Sequence, residues 1–319
     1  MFLAVEVVLA IERGTLTPEC CHEGGEFVAA VVLVHGIWNR QKGVSAERAA
    51  ELLADAARPR LEQGLGSARL SHLMVPEMAM AYYADLLSDA GEVQSGGAAR
   101  LEELSPQELA EVWQWLLTAG VPEPEEAQAG WLAPVRQGLG WLVRRHGGNQ
   151  MEPRDRRGLM DRLERLICGL VTEVNSYLSR PPVRAAARER VAAAIRAECP
   201  GVVVAHSLGS LVAYETLHAY PELEIELLVT LGSPLGLPLL VRNLEPGLRE
   251  GRAARPAGVR RWVNIADAGD LVALPPKLGG LFPVDAHETT DIGLFDAHTL
   301  GGYLAAGLTA VAIAPYLSE

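Results

Sequence analysis

The chain predicts an α/β fold, a mostly parallel central sheet with helices on both faces. Three observations carry that expectation. Residues 27–34 and 201–205 are apolar runs without polar alternation, as strands buried on both faces require. Segments mixing Ala and Leu with Glu and Arg at helical spacing separate such runs. Turn-forming residues follow the runs directly, at His35-Gly36, Ser207-Leu208-Gly209 and Gly232-Ser233-Pro234.

Taken in order, residues 2–11 read as a first strand. Glu6 interrupts this stretch and no basic residue precedes it, so a strand fits better than a signal peptide. Residues 27–34 are the next strand, 45–63 a helix and 78–84 another strand, which together make a βαβ unit with a right-handed crossover. Between 86 and 182 no strand is apparent. Leu109, Val112, Trp113, Leu116 and Leu117 follow helical spacing, as do Leu159, Leu163, Leu166, Ile167 and Leu170. This region holds four of the six tryptophans and reads as a helical cap inserted into a single domain spanning 1–319. Alternation then resumes: helix 184–198, strand 201–206, helix 208–219, strand 225–231, strand 259–265, a short strand near 286–292 and a last helix at 299–314.

Of 319 residues, 49% are apolar, which suffices for a large core. Twenty-eight basic against 40 acidic residues leave a net charge of −12, which argues against nucleic acid or anionic lipid as partner. Four scattered cysteines, with Cys20 and Cys21 adjacent, fit a reduced, cytoplasmic setting better than a disulfide framework. No apolar run is long enough to span a bilayer.

The strand-turn-helix at 202–214 places Ser207 at its tip, with small Ala205 and Gly209 on either side. A serine hydroxyl becomes a nucleophile only when a base takes its proton and an acid holds that base. Asp270 follows a later strand and His298 a later loop, giving the chain order serine, acid, histidine. Among eight histidines, His22, His35, His72, His146 and His218 precede the acid, and His206 should point away from its neighbour on the tight turn. His298 is preferred to His287, which falls in or beside a strand. Asp270 is preferred to Asp267, which stands in reserve. The N–H groups of Leu208 and of Ile37, in the His35-Gly36-Ile37 turn, are the candidate oxyanion donors.

Together, Val34-His35-Gly36-Ile37, Ala205-His206-Ser207-Leu208-Gly209, Gly232-Ser233-Pro234, Asp270 and Asp296-Ala297-His298 resemble the α/β-hydrolase superfamily, near its esterase, lipase and inositol-deacylase-like branch. Ala205 stands where the common motif has glycine. The resemblance covers 27–84 and 184–314 and is silent about the cap. It implies a serine hydrolase acting on a carboxylic ester, of a lipid or other hydrophobic acyl compound, with no cofactor and no metal. A thioesterase, amidase or peptidase with the same three residues, or a silent hydrolase fold used for binding, are the alternatives.

Rival signals are weaker. His22-Glu23 and His287-Glu288 lack the second histidine of a metalloprotease helix, and Gly138-x-Gly140 lacks the third glycine of a dinucleotide loop. Trp131 to Arg145 could lie on a membrane; a cap helix that buries its tryptophans is the expectation instead.

Overall fold

A computed structural model describes residues 31–87, 100–123, 130–145, 152–293 and 298–318. The expected strand at 2–11 and the first four residues, 27–30, of the expected strand 27–34 lie outside them. The described chain runs β1 (Val31–Val34), α1 (Ala46–Ser67), β2 (Met78–Ala81), α2 (Ala84–Leu87), α3 (Pro106–Thr118), α4 (Leu132–Val143), α5 (Pro153–Ser179), α6 (Pro181–Glu198), β3 (Val202–His206), α7 (Leu208–Ala219), β4 (Ile225–Leu231), α8 (Pro238–Asn243), β5 (Val259–Asp267), β6 (Ala286–Thr290), α9 (Leu300–Ala305) and α10 (Leu308–Ile313). Side-chain caps start several helices. Ser45 Oγ accepts from the Arg48 N–H, and Ser105 forms a reciprocal capping box with Glu108.

The six strands form one sheet in the order β2-β1-β3-β4-β5-β6, and every pairing is parallel. Strand alternation explains the unbroken apolar runs. Val31, Leu33, Val202, Val204, Leu227 and Val229 face α1, α9 and α10. Val32, Val34, Val203, Ala205 and Leu228 share the opposite core with α3 to α8. Both faces of β1 and β3 are covered, so neither strand tolerates a polar face. The chain moves from β1 to β2 in one direction and from β3 onward in the other. The reversal falls between β1 and β3, where ligands of open α/β sheets bind at the carboxyl ends of the strands.

Several elements depart from expectation. β2 ends at Ala81, and Ala84 already opens a helical turn. The last helix breaks at Gly307, whose φ of 92° lies in the left-handed region, giving α9 and α10. No strand occurs among the described residues of 86–182, and the helices there bury Trp113 and Trp115 in the same apolar cluster as Val32 and Val203. Trp131 instead remains 40% exposed, stacked 6.4 Å from Trp113, so the tryptophans of this region are not all buried. Gly138 is a packing residue rather than part of a nucleotide loop. A Cβ there would lie 2.9 Å from Leu116 Cδ1. No helix among the described residues is long and apolar enough to cross a membrane.

Candidate active site

Ser207 sits between β3 and α7 with φ 53° and ψ −129°, a strained turn costing about 1–3 kcal/mol that its surroundings must hold. Its N–H donates to Leu231 O at 3.0 Å, tying the turn to β4. The neighbouring glycines are sterically required. A Cβ on Gly209 would lie 2.5 Å from the carbonyl oxygens of Val34 and His35, and one on Gly36 would lie 2.6 Å from Ser207 Cβ. The loop after β1 therefore packs directly against the serine, as the order of strands β1 and β3 dictates.

His298 and Asp270 meet Ser207 although they are 91 and 63 residues further along the chain, respectively. His298 Nε2 lies 2.7 Å from Ser207 Oγ, and His298 Nδ1 lies 2.8 Å from Asp270 Oδ2 and 3.0 Å from Oδ1. A carboxylate only accepts, so Nδ1 carries the proton and the Nε2 lone pair faces the serine hydroxyl. Asp270 is itself oriented: Oδ1 accepts from the Val272 N–H at 2.9 Å, and Oδ2 accepts from the Tyr303 hydroxyl at 2.7 Å. Asp267 serves otherwise. Its Oδ1 accepts from the Gly269 N–H at 2.6 Å, its Oδ2 accepts from the Ile292 N–H, and its own N–H donates to Tyr303 Oη. Likewise His287, on β6, accepts from the Leu278 N–H at 3.3 Å and has no bond to the serine.

Two histidines frame this chain without joining it. His35 is fully buried; its Nδ1 donates to Gly36 O at 2.8 Å, its Nε2 accepts from the Tyr83 N–H at 3.2 Å, and its ring stacks on Tyr83 at 4.2 Å. Burial pushes its pKa down to about 4, so it stays neutral at pH 7. His206 makes no hydrogen bond to Ser207, yet it lies beside the site. Its ring packs 4.9 Å from that of His298, and burial, with His298 nearby, holds it well below the ordinary imidazole range.

The Ile37 and Leu208 N–H groups have no hydrogen-bond partner among the described residues. Leu208 is the first residue of α7, whose N–H has no intrahelical acceptor. Ile37 follows Gly36, which touches Ser207. Such an arrangement can activate a hydroxyl, and it offers two backbone donors beside it to a developing negative charge. Sequence reasoning missed the roles of Tyr303 and Tyr83, which hold the site through contacts distant in the chain, and of Asn39, which holds it across a tight loop; none of them carries a motif. Asn39 Nδ2 donates to the Gly36 and Ile37 carbonyls at 3.1 and 2.8 Å. Asp296 and Ala297, beside His298 in sequence, lie outside the described residues. No group of His, Cys, Asp and Glu among the described residues is arranged to hold a metal.

No family model, no curated protein and no solved structure matches this chain.

Proposed function

We propose that this protein is a serine hydrolase of the α/β-hydrolase type that cleaves a carboxylic ester through an acyl-enzyme on Ser207. One observation carries the reading: the hydroxyl of Ser207, on its strained backbone turn, His298 and Asp270 form a continuous hydrogen-bonded chain with steps of 2.7 and 2.8 Å. His298 takes the serine proton as Oγ attacks the acyl carbonyl. The Ile37 and Leu208 N–H groups receive the oxyanion, and the imidazolium returns its proton to the leaving alcohol. Water, deprotonated by His298, then attacks the acyl carbon and releases the acid and free serine. Asp270 and Tyr303 keep the imidazole in the working tautomer throughout.

Apolar lining in a neighbouring cleft supports a hydrophobic acyl group. An apolar cleft lined by Val112, Trp115, Ile167, Leu170, Leu237 and Leu240 lies between α3, α5 and the segment after β4. That segment begins three residues after Leu231, whose carbonyl binds the Ser207 N–H. In this reading α3 to α5 are the cap, and the protein works in the cytoplasm. Ser207 has no exposed surface, so substrate entry requires displacement of its cover.

Turnover of p-nitrophenyl esters, acyl thioesters and peptide anilides by wild type and Ser207→Ala tests the reaction class. Wild type is expected to cleave the esters and to react with a fluorophosphonate, and Ser207→Ala to lose at least about 10³-fold in kcat and all labelling. Labelling that persists in the variant rejects Ser207 as nucleophile.

A further inference from the structure

We propose that Glu173, on the long helix α5, is a positioning residue that aims the Ile37 N–H at the oxyanion by gripping the peptide that follows it. The inference rests on the hydrolase reading above and assigns to the cap a part in the chemistry as well as in substrate choice.

Three of the four polar groups in two consecutive peptides are hydrogen-bonded. In the peptide joining Ile37 to Trp38, the N–H donates to Glu173 Oε1 at 2.9 Å and the carbonyl accepts from Asn39 Nδ2 at 2.8 Å. Both poles are held, so this peptide cannot rotate without breaking two bonds. In the peptide joining Gly36 to Ile37, the carbonyl accepts from His35 Nδ1 at 2.8 Å and Asn39 Nδ2 at 3.1 Å. Of these four groups, only the Ile37 N–H is left without a partner among the described residues.

Trp38 shows that the grip bears strain. Its φ is 63°, a left-handed conformation that costs a bulky residue free energy, and the residue is 55% exposed, so full burial does not compensate. The indole instead rests in a notch on α5. A Cβ on Gly169 would lie 2.6 Å from Trp38 Cε2 and 2.7 Å from Cζ2. Gly169 and Glu173 are one helical turn apart on the same face, so a single surface receives both the indole and the N–H. Asn39 and His35 anchor the loop from within the sheet domain, whereas Glu173 anchors it from the region between β2 and β3. Burial pushes the Glu173 carboxyl up to about 7, and either protonation state retains an oxygen that accepts from an N–H.

The test compares Glu173→Ala and Glu173→Gln with wild type and Ser207→Ala in the full chain. The readouts are kcat and KM for p-nitrophenyl acetate, Ki for a trifluoromethyl ketone that forms a tetrahedral adduct, and thermal midpoint. Losing a positioned donor predicts a roughly 10- to 100-fold lower kcat for Glu173→Ala, with KM within about twofold and Ki weakened by the same factor as kcat. Glu173→Gln, which keeps the acceptor, should restore both. Gly169→Ala, which presses on the indole, should weaken the same inhibitor and guards against a Glu173→Ala that fails to fold. Wild-type kcat and Ki in Glu173→Ala, or a loss in kcat that Glu173→Gln does not rescue and that follows the thermal midpoint, overturns the positioning role while Ser207-dependent turnover stands. Absence of Ser207-dependent turnover in wild type overturns the hydrolase reading, and this inference with it.

Discussion

Asp267 and Asp270 are three residues apart, both buried and both beside the same tyrosine, yet they do different work. Asp270 receives the imidazole N–H; Asp267 receives two backbone N–H groups and so fixes the loops that follow β5 and β6. Asp270→Asn would present an amide that can donate to Nδ1 and stabilise the wrong tautomer. A loss approaching ~10⁴ in kcat is expected, with little change in thermal midpoint. Asp267→Asn should lower the midpoint more than it lowers kcat, because the bonds it weakens join segments of backbone. Steady-state kinetics and thermal melts of the two variants separate these outcomes, and the reverse ranking would exchange the two assignments. Tyr303 sits between them with its hydroxyl donating to one and accepting from the backbone of the other, which explains why a bulky polar residue is tolerated fully inside the core.

At the scale of elements, the region between β2 and β3 is built into the molecule. Its buried side chains share a core with β1 and β3, and a polar network ties it to the helices behind the serine. Glu215 on α7 accepts from Tyr177 of α5 at 2.7 Å and from Arg184 Nε of α6 at 2.8 Å, all of it out of solvent. A second Arg184 nitrogen binds Asn243 O at the end of α8. Excising these helices would open the core, so the part in substrate choice proposed for them is better probed from within the apolar cleft. Val171→Phe narrows it at a cost of about 1–3 kcal/mol in stability. The expected result is at least about a tenfold fall in the octanoyl-to-acetyl ratio of kcat/KM on p-nitrophenyl esters. An unchanged ratio would place the acyl chain elsewhere.

For the whole molecule, the buried histidines make stability depend on pH. His35 is held neutral in the fold down to about pH 4, whereas the unfolded chain takes up a proton near 6.5. The unfolded state therefore binds more protons between those values. The stability this group leaves intact above pH 6.5 declines as pH falls toward 4, by on the order of 3 kcal/mol in full. His206 acts in the same direction. Glu173 opposes them: its carboxyl, raised to about 7, makes the folded state the stronger proton binder, so its contribution is greatest at low pH and is lost as pH rises through 7. Urea titrations from pH 4 to 8 should show falling stability on acidification below 6.5. Glu173→Gln, lacking the opposing carboxyl, should steepen that fall; a shallower one would contradict these assignments.

Fold class and the linear order of the candidate site residues were legible in the chain before folding. Continuous apolar strands can be buried only between two helical layers, and α7 and β4 appear at their expected bounds because strand and helix periods are local properties. Ser207, Asp270 and His298 were legible because each follows a strand end or loop in an order that the sheet makes spatially adjacent. The sequence favoured Asp270 over Asp267 and His298 over His287, but only tertiary structure shows which histidine meets the serine and which aspartate meets that histidine, since residues three or eleven apart differ in direction rather than in local pattern. The same holds for Tyr303, Asn39 and Glu173. Their roles arise from hydrogen bonds between segments far apart in the chain or across a tight loop, and a lone tyrosine, asparagine or glutamate leaves no periodic trace of the partner it will find.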